Sequence, residues 1–242
     1  MTKKLYQANS YLRECESTVV KVDGKFVVLD ETVFYPQGGG QPSDMGKLIS
    51  ESGAQFNVVF AKNLGDDVSL EVDREGLHTG EKVECVLDWE RRYTHMKMHT
   101  SAHLLAACIM KETGALITGN QLDLKQSRMD FNVKDFDKEL LKSFEEHVNG
   151  AIKSAMPVSV SFMEKEKALQ NPTLFRLKDV LPKDIPILRI VAIGEFDIQA
   201  DGGTHVANTR EIGKFKIVDF KNKGAENRRV YWELEGEPNE NH

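Results

Sequence analysis

The sequence predicts an α+β protein in which a small β-barrel precedes a two-layer α/β domain of antiparallel sheet and helices. Two observations predict this fold class. Short strand-like segments separated by turn signals fill residues 1–90, which is typical of a small barrel. Beyond residue 88 a helical pattern begins, and strand-like segments then run beside two main helices, as in two-layer α+β folds. We therefore expect two domains, residues 1–90 and residues 91–242.

The barrel is predicted to begin with a hairpin. Residues 18–22 and 25–29 are rich in β-branched residues, and the intervening Asp23-Gly24 is a common hairpin turn. Residues 34–44, with three successive glycines and two prolines, interrupt regular structure. Further short strands are expected at residues 55–60, 68–72 and 82–87.

The second domain is predicted to open with a long helix. Asp88 is a good N-cap before Trp89, and the helix should continue to Lys111 and end at Gly114. A second helix is expected after Asp135 or Asp137, either of which is a suitable N-cap. Its apolar residues follow three-and-four spacing: Leu140, Leu141, Phe144, Val148 and Ile152.

Strands are predicted between and after these helices. Val158, Val160 and Phe162 alternate with polar residues, a pattern that indicates a half-buried strand. The other expected strands lie near residues 115–122, 127–131, 187–193, 215–220 and 230–234.

Composition narrows the class of protein. The chain has 242 residues, of which 40% are hydrophobic and 29% charged, as in soluble globular proteins. No apolar run approaches the roughly 20 residues of a membrane span, and the N-terminus lacks the apolar region of a signal peptide. The 3 cysteines are widely spaced, which favours reduced thiols and a cytoplasmic protein. The net charge of −6 does not itself indicate nucleic-acid binding, although it leaves room for local basic patches.

Two pairs of side chains suggest a metal site. His99 and His103 are four residues apart, so a helix places both on one face. Asp201 and His205 flank a Gly-Gly-Thr segment that permits a tight turn. Together the pairs supply four candidate ligands, enough for one tetrahedral zinc ion. Common alternatives do not match: Thr100 occupies the position of the glutamate in HExxH, and no Lys-Ser/Thr follows the triple glycine as a phosphate-binding loop requires.

Several motifs in a fixed order extend this interpretation. They occupy residues 34–44, 99–105, 127–131, 202–206 and 222–229. In this order and spacing the chain resembles the editing domain of alanyl-tRNA synthetase. It lacks room for a class II synthetase core, and so it resembles the free-standing AlaX-type alanyl-tRNA editing proteins, in their longer form with a glycine-rich N-terminal domain. The resemblance covers nearly the whole chain.

The resemblance implies an aminoacyl-tRNA deacylase that uses one Zn²⁺ ion. Its substrate would be tRNA(Ala) mischarged with serine or glycine, and it would need no membrane and no obligate protein partner. His99 and His103 would serve catalysis as ligands of the metal. Two other functions remain open: a catalytically impaired tRNA-binding module, and an amino-acid ester hydrolase that needs no RNA.

One ligand departs from the family pattern. Asp201 stands where the family usually has cysteine. A carboxylate binds zinc at a similar distance but is a harder ligand, so the site could exchange zinc for another divalent ion. The alternative is a three-histidine site in which Asp201 contacts a ligand or holds the water.

The resemblance also suggests residues for substrate and tRNA. The amino-acid pocket would be lined by Thr118, Asn120 and Gln121, with Gln41 and Asp44 reaching it from the glycine-rich loop. Their polar groups could pair with the serine hydroxyl and so reject alanine. The candidates for phosphate contacts are basic: Arg91, Arg92, Lys214, Lys216, Arg228 and Arg229.

Overall fold

The computed structural model describes residues 1–134, 137–176, 185–224 and 227–235. The chain forms two compact units, Met1–His95 and Met96–His242, whereas the sequence predicted a boundary after residue 90. The first helix, α1, continues across this boundary. Among the described residues, no helix has both the length and the apolar character needed to cross a membrane.

The first unit contains the predicted barrel. Its strands are β1 (Lys3–Lys4), β2 (Glu14–Asp23), β3 (Phe26–Leu29), β4 (Glu31–Thr32), β5 (Gly46–Ser50), β6 (Gln55–Leu64), β7 (Asp67–Val72) and β8 (Lys82–Leu87). Six of them close in the order β2-β3-β7-β6-β5-β8. The turn between β2 and β3 is formed by Gly24 and Lys25, one residue later than predicted, because Asp23 still pairs with Phe26. Gly24 has a positive φ of 58°, which glycine adopts without strain.

Every second side chain along the barrel strands points inward and fills the interior of the barrel. Along β6 and β8, alternate side chains such as Phe56, Val58, Val83 and Cys85 are buried, and their neighbours face solvent. These residues join one apolar cluster with the other strands. Closure pairs each of the six strands on both sides and puts this whole apolar face out of water.

Helices and two antiparallel sheets make up the second unit. The helices are α1 (Trp89–Thr113), α2 (Lys138–Lys153) and α3 (Lys165–Ala168). The strands are β9 (Ile117–Gln121), β10 (Gln126–Phe131), β11 (Val158–Glu164), β12 (Ile187–Ile193), β13 (Asp197–Ala200), β14 (Lys214–Asn222) and β15 (Arg228–Glu235). One sheet has the order β14-β15-β10-β9 and the other the order β11-β12-β13.

Helix α1 is buried on most of its surface within the second unit. Met98, Leu104, Leu105 and Ile109 are at most 1% exposed, so this part of the helix belongs to the core. On the four-stranded sheet, the indole Nε1 of Trp232 donates to the Ser101 hydroxyl at 3.0 Å. This contact fixes α1 against that sheet between its two histidines.

The second helix follows its predicted pattern. The Asp137 carboxylate accepts a hydrogen bond from the Leu140 amide at 2.7 Å, so Asp137 is the N-cap; Asp135 lies outside the described residues. Leu141, Phe144 and Val148 are buried along one face. The helix therefore begins at one of the two predicted N-caps, and its apolar face is buried as the sequence indicated.

The predicted burial of β11 is wrong. The strand forms, but Val160 is 37% exposed and Phe162 is 55% exposed. Strand β11 pairs with β12 alone and therefore lies at the edge of the three-stranded sheet. Alternation of apolar and polar residues predicts a strand correctly, whereas burial depends on what covers its apolar face.

Candidate metal centre

The first two candidate ligands lie on one face of α1. His99 and His103 are 4% and 5% exposed, and their ring centroids are 5.1 Å apart. Residues at i and i+4 are one turn apart on a helix, which is why the two rings adjoin. The helix therefore presents two imidazoles to one point inside the second unit.

The other two candidates lie at the end of β13 and in the turn that follows. One carboxylate oxygen of Asp201, Oδ2, accepts the Gly203 amide at 2.6 Å, which closes the turn on the aspartate side chain. The same oxygen lies 3.1 Å from His205 Nε2. The turn thus brings the carboxylate and the third imidazole together.

The two pairs converge. Asp201 Oδ1 is 3.4 Å from His99 Nε2 and 3.9 Å from His103 Nε2. One ligand atom from each of the four residues lies within 4.8 Å of all the others. Ligands about 2.1 Å from a tetrahedral zinc ion are separated by about 3.4 Å, and the distances from the Asp201 carboxylate to the three imidazoles bracket that value. The four residues therefore fit a single metal ion.

The ring nitrogens of two histidines are held by outer partners. The Thr100 hydroxyl donates to the Met96 carbonyl at 2.9 Å, so its oxygen is free to accept from His205 Nδ1, 3.1 Å away. His103 Nδ1 faces the Asp197 carboxylate at 3.3 Å. At His205 the proton therefore belongs on Nδ1, and Nε2 directs its lone pair toward the cluster. At His103 the carboxylate lies within ion-pair distance of Nδ1 but outside hydrogen-bond geometry.

Electrostatics favour the protonation states that a metal needs at Asp201 and His205, but not at His103, where a metal ion has to displace a proton. Burial opposes ionisation of Asp201, yet the adjoining histidines hold its pKa well below the usual range. Burial, together with the charge of His99, keeps the pKa of His205 well below its usual value. Burial also disfavours a charged His103, but the carboxylates of Asp197 and Asp201 outweigh it and raise its pKa to about 9. An ionised carboxylate and a neutral His205 are ready to bind a cation.

Arg189 supports the cluster, and no motif in the sequence had marked it. Its Nη1 donates to the carbonyl oxygens of Asp201 at 3.0 Å and Gly203 at 2.8 Å. The side chain is nearly buried, at 4% exposure, and it fixes the turn that carries the carboxylate. The available signal was an arginine inside the apolar run of residues 187–193, since a buried charge there needs partners.

The predicted amino-acid-binding residues lie on β9. Asn120 is opposite Met129 in the sheet, so it shares the face of Trp232, which contacts α1. Thr118 and Gln121 are exposed: the Thr118 hydroxyl donates to Asn227 at 3.0 Å, and Gln121 accepts from Arg128 at 3.2 Å. Of the three, Asn120 is the one on the sheet face that contacts the histidine helix.

Gln41 and Asp44 are both buried in the barrel unit. The Asp44 carboxylate accepts from the Tyr35 amide at 2.6 Å and from the Arg92 guanidinium, whose Nε is 2.9 Å away. Arg92 also donates to the Val33 carbonyl at 2.6 Å. The fully buried Asp44–Arg92 ion pair therefore holds the glycine-rich segment closed on itself.

The remaining basic candidates differ in accessibility. The side chains of Lys214 and Lys216 are 67% and 51% exposed, and both pair with Glu235. Arg229 is held by Asp130 at 2.6 Å, and Arg91 donates to the Ser43 carbonyl at 3.2 Å. Arg228 is 8% exposed and donates to backbone carbonyls of residues 224 and 227.

Comparison with known families relates both units of the chain to tRNA synthetases. The family described as "Threonyl and Alanyl tRNA synthetase second additional domain" matches residues 188–231. The family described as "tRNA synthetases class II (A)" matches residues 3–91. These matches cover the barrel unit and the part of the second unit that contains Asp201 and His205.

Full-length relatives define the family more closely. The alanyl-tRNA editing protein AlaX-M of Methanosarcina barkeri is 47% identical over 241 residues, covering 97% of this chain and 99% of its own. AlaX-M of Saccharolobus solfataricus is 41% identical over 234 residues, covering 96% of this chain and 98% of its own. The alanine–tRNA ligase of Metallosphaera sedula is 34% identical over 91% of this chain, which corresponds to 25% of the ligase. The chain belongs to the AlaX-M family of alanyl-tRNA editing proteins.

Proposed function

We propose that this protein hydrolyses the ester bond between tRNA(Ala) and a wrongly attached amino acid, serine or glycine, as a free-standing enzyme. The observation that carries the proposal is the convergence of His99, His103, Asp201 and His205 on one point. In a chain of the AlaX-M family, this cluster gives the editing reaction a place to occur. We further propose that the enzyme works in the cytoplasm, where its tRNA substrate is charged.

Imidazole nitrogens and carboxylate oxygens are common ligands of zinc in proteins, and zinc is the cofactor that we propose. When bound, zinc polarises a carbonyl or lowers the pKa of a water to about 7. His99, His103 and His205 would hold the ion through nitrogen, and Asp201 would hold it through oxygen. Arg189 and Thr100 keep this set in place through their hydrogen bonds to the turn and to His205.

Selection against alanine would rest on polar groups near the cluster. Asn120 is the best placed, because its strand face contacts α1 through Trp232. A polar group that hydrogen-bonds the serine hydroxyl has no equivalent contact with alanine, a difference that favours serine by about 1–3 kcal/mol. Thr118 and Gln121 remain candidates for the exposed part of the substrate.

Contacts with the tRNA backbone are proposed for the exposed basic residues. Lys214 and Lys216 lie in β14 with most of their side chains in solvent, and Arg91 and Arg229 are partly accessible. Such charges bind phosphates without reading sequence. We exclude Arg92 and Arg228 from this set because their guanidinium groups are buried against backbone carbonyls.

A deacylation assay tests the proposal. The purified protein is incubated separately with tRNA(Ala) charged with serine, glycine or alanine, and with the ethyl ester of serine. We expect loss of the serine or glycine charge at a rate far above that of the alanine charge, with the free ester nearly untouched. If the protein binds tRNA but leaves Ser-tRNA(Ala) and Gly-tRNA(Ala) intact, it is a non-catalytic tRNA-binding module. Equal hydrolysis of the free ester would indicate an RNA-independent hydrolase.

A further inference from the structure

A polar ladder runs along β13 beside the histidines. Asp197, Gln199 and Asp201 alternate with Ile198 and Ala200, so the three polar side chains share one face of the strand. Asp201 belongs to the candidate metal centre. Asp197 and Gln199 are 4% and 7% exposed, and the proposed ligand set gives neither of them a role.

Both oxygens of the Asp197 carboxylate contact polar side chains. Oδ1 lies 3.0 Å from Arg176 Nη2. Oδ2 accepts from the Gln199 amide at 2.7 Å and lies 3.3 Å from His103 Nδ1. A buried carboxylate is costly unless it is paired and hydrogen-bonded. Arg176 supplies the opposite charge, and Gln199 fixes the orientation of the carboxylate toward the imidazole.

This arrangement determines which nitrogen of His103 is available. The carboxylate approaches Nδ1 to 3.3 Å, on the side of the ring away from Nε2, which lies 3.9 Å from Asp201 Oδ1. Nε2 is therefore the nitrogen that faces the candidate metal centre. Carboxylate–histidine–metal series of this kind orient the ring and increase its strength as a ligand. The Thr100 hydroxyl contacts Nδ1 of His205 in the same way. Because it is neutral, it orients the His205 ring without adding a charge beside it.

We propose that Asp197 is a positioning residue that orients His103 for metal binding, and that Arg176 and Gln199 hold its carboxylate in place. The inference rests on the proposed metal-dependent deacylase and adds to it an outer carboxylate that no motif in the sequence marked. Asp197 touches neither substrate nor metal; it acts through the imidazole.

The test measures zinc binding directly, by competition with a chromogenic chelator. Asp197→Asn keeps the size of the side chain and removes its charge, and we expect it to weaken zinc binding about 10-fold; for Asp197→Ala we expect about 100-fold. Ile198→Thr is the matched control, since Ile198 is the next residue of the same strand, is 39% exposed and points to the opposite face. It should bind zinc as the wild type does.

A second readout separates positioning from loss of fold. The visible spectrum of the Co²⁺-loaded protein depends on ligand geometry, and it should change in Asp197→Asn at a temperature where circular dichroism shows the variant to be folded. Because the buried Arg176 loses its partner charge, the metal-free variant should unfold at a lower temperature than the wild type. Arg176→Gln removes the charge that pairs with Asp197 and should also weaken zinc binding. It tests the same network if the variants at position 197 do not fold.

The outcomes distinguish this inference from the proposed function. Wild-type zinc affinity and an unchanged Co²⁺ spectrum in both Asp197→Asn and Arg176→Gln, in a protein that still deacylates Ser-tRNA(Ala), would overturn the role of Asp197 and leave the deacylase intact. A wild-type protein that binds no divalent metal would overturn both.

Discussion

Replacing Asp201 by asparagine tests whether the carboxylate is a metal ligand or only a neighbour of the metal. The substitution keeps the shape of a side chain that lies 3.1 Å from His205 Nε2 and 3.4 Å from His99 Nε2. It removes the negative charge that faces three imidazoles. An amide is also a poor ligand for zinc compared with a carboxylate.

The expected loss of affinity follows from the number of ligands. Sites with four protein ligands bind zinc with about 10–16 kcal/mol of free energy, or about 2.5–4 kcal/mol for each ligand. Because the four candidate atoms lie within 4.8 Å of one another, Asp201 counts as a full ligand. At about 1.4 kcal/mol for each factor of ten, its loss weakens zinc binding about 100- to 1,000-fold.

Chelator competition on the wild type and three variants measures this loss. Asp201→Cys introduces the thiolate that the family usually carries, and we expect zinc affinity at least equal to that of the wild type. Asp219→Asn is the control, because Asp219 is exposed and pairs with Lys221 outside the cluster. Its zinc affinity and its deacylation rate should not change.

The contrary result is a three-histidine site. If Asp201→Asn binds zinc within about threefold of the wild type, a difference of less than about 1 kcal/mol, the carboxylate is not a ligand. A large fall in deacylation at unchanged zinc affinity would then assign Asp201 to the water or the substrate.

Three further expectations follow from the same geometry. Arg92→Met leaves the fully buried Asp44 without its partner, so the free energy of unfolding measured with urea should fall by about 3–5 kcal/mol. The double variant Arg92→Met/Asp44→Asn should recover part of this stability. A fall of less than about 1 kcal/mol in Arg92→Met would contradict the buried-pair interpretation. Lys214→Gln and Lys216→Gln should each reduce the salt dependence of tRNA binding by about one unit of log K against log salt, and an unchanged slope in a filter-binding titration would remove them from the interface. Asp137→Ala removes the N-cap of α2 and should cost about 0.5–2 kcal/mol of stability by the same denaturation, with no change in zinc affinity.

The sequence predicted those parts of the fold that depend on short-range patterns. The N-cap, histidine spacing and terminal glycine of α1 are all local, and the helix runs from Trp89 to Thr113. Five of the six barrel strands and the β2–β3 hairpin were likewise visible as alternation around turns, whereas β5 was not predicted. The exposure of the apolar residues of β11 could not be predicted in this way, because it depends on the position of the strand within its sheet.

Convergence of the two ligand pairs could not be derived from the sequence by spacing alone. About a hundred residues separate His103 from Asp201, and only the order of several motifs suggested that they meet. Arg189 and Asp197 were missed for the same reason: each looked like an ordinary residue of a strand until the structure placed its side chain against the cluster. Supporting contacts of this kind are tertiary and leave little local signal.

If the His₃Asp cluster holds the catalytic metal, hydrolysis depends on that metal. The most direct test follows hydrolysis of Ser-tRNA(Ala) by one preparation as isolated, after removal of metal by a chelator, and after addition of Zn²⁺, with the metal content measured at each stage. We expect about one zinc ion per chain in the active samples, loss of hydrolysis when the metal is removed, and its return when zinc is added. Undiminished hydrolysis by a metal-free sample would contradict this expectation.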